Sequence, residues 1–302
     1  MNPIIPIINW RDKLVMLLKK VIKKSGTLYG MLSSAKNYCY NVYHQIHYNT
    51  SISDDGSYPD FCEKASNDDT TFASFKSNKI YTRVLEHTSY EQGLDYLKII
   101  KENTPRLLNS INDFKKNDFY GSPAIFYYPE IETSVSPTTL RYVKVLSDLI
   151  RLYSFPAGLN VCEIGVGYGG QCRIIMSYLD VKKYTLVDLP QVLKLSQKFL
   201  SNFEGINNTC FQTMDEIDSV TSYDLVISNY AFSELKKEIQ EIYLEKIILK
   251  SKSGYITYNT LAHTILDGYS AEELNKIIPE SQIIPEEPLT ADGNCIIVWG
   301  CM

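Results

Sequence analysis

No stretch of the 302-residue chain reaches the roughly 18 consecutive apolar residues that a membrane-crossing helix needs, and the run Leu14 to Leu18 is too short even for a secretory core. A cytoplasmic protein is expected. No two cysteines stand in CxxC spacing, and the seven present are scattered and odd in number, which argues against a disulfide framework and against a zinc site. Histidine is scarce, with four in the chain, and no compact Asp/Glu/His cluster suggests a metal. Positive charge is not in excess either: 30 Lys and Arg face 35 Asp and Glu, a net charge of −5. Nucleic-acid binding, which depends on clustered Lys and Arg against phosphate, is therefore not expected.

What is present is the composition of a globular chain, 44% hydrophobic and 12% aromatic, long enough for one α/β domain and an accessory segment. The charge is unevenly spread: residues 1–50 carry seven basic residues and one acid, +6, leaving −11 for the remainder. Within residues 10–24, Trp10, Leu14, Leu17, Leu18 and Val21 share one arc of a helix while Lys13, Lys19, Lys20, Lys23 and Lys24 fall elsewhere. Two readings of this basic amphipathic helix stand: a helix docked on the body with a solvated lysine face, or a peripheral membrane contact on anionic lipid.

Three segments follow: 1–50, basic and amphipathic; 51–135, an accessory helical or cap region; and 136–302, the domain that carries the chemistry. Residues 51–70, rich in Ser, Asp and Gly without a period, read as a connector. Ser89 with Gln92 resembles a capping box opening a helix through Ile100, and Pro105 suits the first turn of another that ends near Lys116. Residues 119–135 read as irregular. Ser136 and Pro137 mark a helix start, and Leu140, Val143, Leu146, Leu149 and Ile150 carry it to about Tyr153. Beyond Gly158, strands near 160–164, 184–188, 208–212, 224–228 and 254–259 alternate with helical stretches, which implies right-handed crossovers and a mostly parallel sheet. Residues 281–285 and 294–299, joined by a link containing Asp292-Gly293, leave no room for a crossover helix and read as an antiparallel hairpin. The fold class is α/β: a Rossmann-like, seven-stranded, mostly parallel sheet with an antiparallel C-terminal hairpin, plus an N-terminal helical accessory region.

The informative stretch is Val161-Cys-Glu-Ile-Gly-Val-Gly-Tyr-Gly-Gly-Gln171, a buried strand, a turn holding Gly165, Gly167, Gly169 and Gly170, then a helix. Glycine lets backbone approach a ligand, and free N–H groups at a helix start favour a negative group. Gly165, Gly167 and Gly170 also satisfy GxGxxG, so a dinucleotide-binding domain is a rival reading. Glu163, a carboxylate beside the turn, suits an amino-acid ammonium group and not a pyrophosphate. Asp188, ending the next strand in Tyr184-Thr-Leu-Val-Asp-Leu-Pro190, suits ribose hydroxyls in either reading.

With these residues the chain resembles a class I S-adenosylmethionine-dependent methyltransferase over about residues 136–302. More narrowly, Ser136-Pro-Thr-Thr-Leu-Arg-Tyr142, Glu163-Ile-Gly-Val-Gly-Tyr-Gly-Gly-Gln171 and Ser228-Asn-Tyr-Ala-Phe-Ser-Glu-Leu235 resemble sugar O-methyltransferases associated with surface-polysaccharide synthesis. The resemblance implies S-adenosyl-L-methionine as cofactor. It places Glu163, Gly165, Gly167 and Gly169 around the methionine part, Asp188 on the ribose, Leu189 and Met214 against the adenine, Asp215 at its amino group, and Asn229 at the end of the fourth strand beside the site. Tyr230-Ala231 departs from the Pro-Pro that amino methyltransferases often carry there, which favours oxygen as the acceptor.

A sugar hydroxyl needs a general base. His263, just after a strand, and Glu234, near the edge of the same cleft, are the candidates, with ordinary loop and helix-cap roles as their alternatives. Tyr128, Arg141 and Tyr230 are candidates for the acceptor side, the tyrosines for sugar faces and Arg141 for a phosphate; core packing is the alternative for the tyrosines. Methylation of a small non-sugar metabolite and a methyltransferase-like interaction module without turnover remain as alternative functions.

Overall fold

The computed structural model describes residues 51, 56–218 and 220–301. The basic segment, with the amphipathic stretch 10–24 and His44 and His47, lies outside the described residues. Everything described belongs to one compact unit that begins at Asn49.

In chain order the principal elements are α1 (Ser57–Asn67), α2 (Tyr90–Asn103), β1 (Phe126–Tyr128), β2 (Thr133–Val135), α3 (Pro137–Leu152), β3 (Leu159–Ile164), α4 (Gly170–Met176), β4 (Val181–Val187), α5 (Pro190–Leu200), β5 (Thr209–Gln212), β6 (Tyr223–Asn229), α6 (Lys237–Lys246), β7 (Ser251–Tyr258), α7 (Thr260–Leu266), α8 (Ala271–Ile277), β8 (Gln282–Pro285) and β9 (Cys295–Trp299). The expected seven-stranded sheet is present in the order β5-β4-β3-β6-β7-β9-β8. β3 through β7 pair in parallel, and β9 inserts antiparallel between β7 and β8.

Alternation along the strands sorts the core into two layers, because successive side chains of a strand point to opposite faces. Leu159, Val161, Leu186, Leu225, Ile227 and Val298 meet α3, α4 and α5 on one face. Cys162, Ile164, Val187, Val226, Ile256 and Ile297 meet α6 and α8 on the other. The chain winds outward from β3 to β5, then returns to place β6 on the opposite side of β3. That reversal opens a crevice at the carboxyl ends of β3 and β6, where ligands of open α/β sheets bind.

Three expectations in the accessory region are overturned. Residues 51–70 are not a connector: α1 occupies most of that span, burying Tyr58, Phe61, Cys62 and Ala65. Their i, i+3, i+4, i+7 spacing was a helical face masked by the Ser, Asp and Pro that suit a helix start. Residues 119–135 are not wholly irregular, since β1 and β2 pair antiparallel there. The region after Pro105 is a broken series of short helical turns, Pro105–Ser110, Ile111–Phe114 and Lys115–Phe119. By contrast the Ser89–Gln92 capping box forms on both sides, and Ser136 caps α3 with Pro137 at its first position.

The accessory helices share the core of the first layer, where α1 packs on α5 and α2 on α3. Polar ties reinforce this. The buried Asp118 carboxylate accepts hydrogen bonds from the Ser136 backbone N–H, the Ser136 hydroxyl and the Thr139 hydroxyl, each at 2.7 Å. Asn117 Nδ2 donates to the Gly170 carbonyl at 3.0 Å, and the buried Lys76 ammonium donates to the Asn117 carbonyl while lying 3.9 Å from the centre of the Tyr168 ring. Segment 51–135 thus grips both the start of α3 and the glycine turn before α4. Removing a carboxylate that satisfies three buried donors costs about 1–3 kcal/mol for each donor left without a partner. Asp118→Ala is therefore expected to lower the free energy of unfolding by at least about 2 kcal/mol; an unchanged denaturant midpoint would show that the accessory region does not support the sheet domain.

Candidate functional site

A cavity of about 670 Å³ occupies the crevice. Its floor is built from three strand ends: Glu163 to Gly167 at the end of β3, Val187 to Pro190 at the end of β4, and Asn229 to Ala231 at the end of β6. Thr213, Met214 and Asp215 close one side, and Glu234, Tyr243 and Asn259 another.

The glycine turn owes its shape to close approaches. Gly165 and Gly167 have φ of +77° and +53°, a region that side chains rarely adopt. A Cβ on Gly165 would run into Ala231, and one on Gly167 into Leu85 of the accessory layer. Both glycines therefore line the cavity because nothing bulkier fits between the strand ends. Gly169 does not line it; it precedes α4 at φ +84°, where a Cβ would press on the Leu200 side chain.

Asp188 locks the turn. One carboxylate oxygen accepts from the backbone N–H of Val166 at 2.7 Å and of Gly167 at 3.3 Å, and the other accepts from the Leu189 N–H at 2.7 Å. Burial lifts its pKa to about 6, against the pull of those three donors. Glu163 is 2% exposed and accepts from the Tyr184 hydroxyl at 2.7 Å. Burial drives its pKa to about 8, and among the described residues no cation is paired with it. Leu189, Met214 and Asp215 lie together on the same wall, the last two on a single turn opened by the Thr213–Glu216 capping box.

Asn229 and Tyr230 end β6. Asn229 Nδ2 donates to Gln171 Oε1 at 3.4 Å. Tyr230 takes φ +67°, an unfavourable conformation for a side-chain-bearing residue, held by its N–H to the Thr257 carbonyl at 2.9 Å. The Tyr230 hydroxyl donates to Glu286, whose second oxygen accepts from the Thr290 N–H at 3.0 Å and hydroxyl at 2.8 Å.

The two candidate bases separate. Glu234 lines the cavity, accepts from Asn259 Nδ2 at 2.9 Å, and has its pKa raised by burial. His263 does not line it: one turn into α7, its Nδ1 is 2.7 Å from the Gly268 carbonyl just past the end of that helix. Among the acceptor candidates, Arg141 and Tyr230 line the cavity. Tyr128 does not; it is fully buried, its ring stacked 5.0 Å from that of Tyr90 and its hydroxyl against Gly93. Among the described residues no cluster of three His, Cys, Asp or Glu side chains is placed to hold a metal, and no helix is long and apolar enough to cross a membrane.

Sequence reasoning missed the lid and the far wall. Tyr58, Leu85, His87, Gln92 and Tyr96 reach the cavity from the accessory layer, and Thr290, Ala291 and Asn294 from the link between β8 and β9. No local pattern marks them, because contacts across 50 to 130 residues of sequence leave no periodicity. His87, although exposed, also lines the cavity, where the nearby Arg141 charge holds its pKa below the ordinary imidazole value.

No family model matches the chain, and no curated protein matches it. Solved structures do resemble part of it. The methyltransferase domain of bacterial CtHen1-C is 12% identical, with 52% of this chain and 95% of that chain covered and a TM-score of 0.41. The N-methyltransferase NodS from Bradyrhizobium japonicum WM9, solved with S-adenosyl-L-homocysteine, is 12% identical over 52% of this chain and 83% of its own, TM-score 0.39. The magnesium protoporphyrin IX methyltransferase ChlM from Synechocystis PCC 6803, solved with S-adenosylmethionine bound, is 15% identical over 47% and 69%, TM-score 0.37. At these values the likeness identifies neither reaction nor ligand.

The raised carboxyl of Glu163 makes stability depend on pH. Between its ordinary 4.5 and about 8 the folded chain keeps a proton that the unfolded chain has lost, so stability falls as pH rises through that window. Asp188 adds in the same direction between 3.8 and about 6. Glu163→Gln is expected to flatten the decline in unfolding free energy above pH 6, which at its steepest is about 1.4 kcal/mol per pH unit for one group. Parallel curves for the two proteins would place the Glu163 carboxyl in a solvated setting instead.

Proposed function

We propose that this chain is an S-adenosylmethionine-dependent O-methyltransferase that transfers a methyl group to a sugar hydroxyl, in a nucleotide sugar, a glycan end or a lipid-linked precursor. The observation that carries the reading is the convergence of Glu163, the Gly165–Gly167 turn and Asp188 on one cavity at the point where the strand order reverses. A buried carboxyl with no paired cation among the described residues is matched by the cofactor's ammonium group, a counter-charge that a dinucleotide pyrophosphate does not supply. Asp188 uses three of the roughly four acceptor positions of a carboxylate on backbone, leaving one for a ribose hydroxyl. Leu189 and Met214 supply apolar surface for the adenine, and Asp215 an acceptor for its amino group.

The cofactor supplies an already activated methyl on sulfonium sulfur. The protein's share is alignment of the acceptor oxygen, an effect that can reach about 7–11 kcal/mol, and removal of the hydroxyl proton, typically worth about 10² to 10⁴ in rate. Glu234 suits the removal of that proton, because burial raises its pKa toward neutrality, where a general base works best, and Asn259 holds its orientation. Tyr96 and Tyr230 offer aromatic faces of the kind that pack on a pyranose ring, and the Tyr230-Ala231 pair in place of Pro-Pro favours oxygen over nitrogen.

Calorimetry with S-adenosylmethionine or its demethylated product tests the donor side. Both should bind, Asp188→Ala should abolish binding, and at pH 7 the wild type should release a proton as Glu163 ionises against the ammonium while Glu163→Gln should not. Absence of binding to either molecule would end the proposal. With labelled methyl transfer to a cell-surface glycan extract, Glu234→Gln is expected to lower turnover at least a hundredfold with cofactor affinity unchanged, and His263→Ala to stay near wild type; the opposite pattern would restore His263 as the base.

A further inference from the structure

The cavity is also lined by His87, Gln92, Tyr96, Arg141, Tyr230 and Thr290, none of them part of the glycine turn. Arg141 is the cation among them; the Glu86 carboxyl acts on it but makes no contact ion pair with it. Its Nη2 reaches the Leu85 carbonyl at 3.5 Å, and its Nε is shut off from solvent without a partner. Lys144, one turn further along α3, is neutralised by Asp148 at 2.7 Å, whereas no ion pair to Arg141 occurs among the described residues. Glu286, the carboxylate that borders Arg141 in the small pocket behind it, has both oxygens occupied by Tyr230 and Thr290.

A guanidinium is a fork of five N–H donors that suits the planar or tetrahedral oxygens of carboxylate and phosphate. Here it stands on a cavity wall with its Nε unspent, its Cζ 5.6 Å from the centre of the Tyr142 ring, and Tyr96 and Tyr230 line the same cavity. We propose that the acceptor carries an oxyanion, phosphate or carboxylate, and that Arg141 seats it. This rests on the methyl-donor reading above and narrows it: the acceptor is an anionic sugar derivative, gripped at one end by charge so that a hydroxyl elsewhere in the molecule meets the donor.

The cofactor's own carboxylate is the competing occupant. The small pocket behind Arg141 is lined by Tyr96, Asn229, Tyr230 and Glu286 and by none of Glu163, Gly165, Gly167 or Asp188. Arg141 thus borders space that the glycine turn and its two acids do not reach, which favours the acceptor as its occupant.

The test uses the full chain, S-adenosyl-L-homocysteine and inorganic phosphate. Calorimetry first measures the homocysteine product on wild type and Arg141→Gln; thermal shift then follows phosphate on the product-loaded proteins, against chloride of equal ionic strength. Phosphate should stabilise the wild type, and Arg141→Gln should weaken it at least tenfold while its affinity for the product stays within twofold. Arg141→Lys, which keeps the charge and loses the fork, should fall between. Acetate run in parallel separates the sources, the stronger anion naming the group. Equal phosphate affinity in wild type and Arg141→Gln would overturn the proposal. A tenfold loss of product affinity in Arg141→Gln would also overturn it, by assigning the residue to the cofactor. Failure of the product to bind wild type would instead reject the donor reading, and phosphate titration of the free protein would still read the Arg141 seat.

Discussion

The Asp188 carboxylate, placed at the end of β4 and bonded to the backbone N–H groups of Val166, Gly167 and Leu189, is the constraint on which the site depends. It joins the end of one strand to the turn after the next and to the start of α5. With the turn pinned, Gly165 faces Ala231 and Gly167 faces Leu85, so three strand ends and the accessory layer share one floor. The charge needed for this is buried, and its raised pKa is the cost of holding the turn from inside.

The accessory region is part of that arrangement. Its polar grip on Ser136, Thr139 and Gly170 orients α3 and α4, and α3 in turn delivers Arg141 to the cavity. The segment that reads as an appendage in one dimension supplies one wall of the cavity and holds another. The link between β8 and β9 supplies the opposite wall through Thr290 and Asn294, and its Glu286 holds Tyr230 in place.

Much of the fold was legible because it is written in short-range rules. Ser136-Pro137 caps α3 and Ser89 with Gln92 caps α2 as local chemistry requires. The strand rhythm after Gly158 is a matter of period, and the Asp292-Gly293 link signals an antiparallel return. The glycine turn and its two acids were legible for the same reason: Glu163, Gly165 and Gly167 lie within five residues, and Asp188 ends the next strand. Where local composition and packing disagreed, the reading failed. The Ser, Asp and Pro around Phe61 and Cys62 look like a loop until α5 offers a surface to bury them.

By itself the sequence determined the alternation of strands and helices, the glycine turn and its two acids, since each depends on neighbours within a few residues. Only the tertiary structure decided which candidates meet. It brought Glu234, Tyr230 and Arg141 to the cavity, turned His263 onto the Gly268 carbonyl and buried Tyr128 against Tyr90. The reason is the reversal of strand order beside β3: it sets side chains separated by tens of residues on a common crevice, and no local period records which of them point inward.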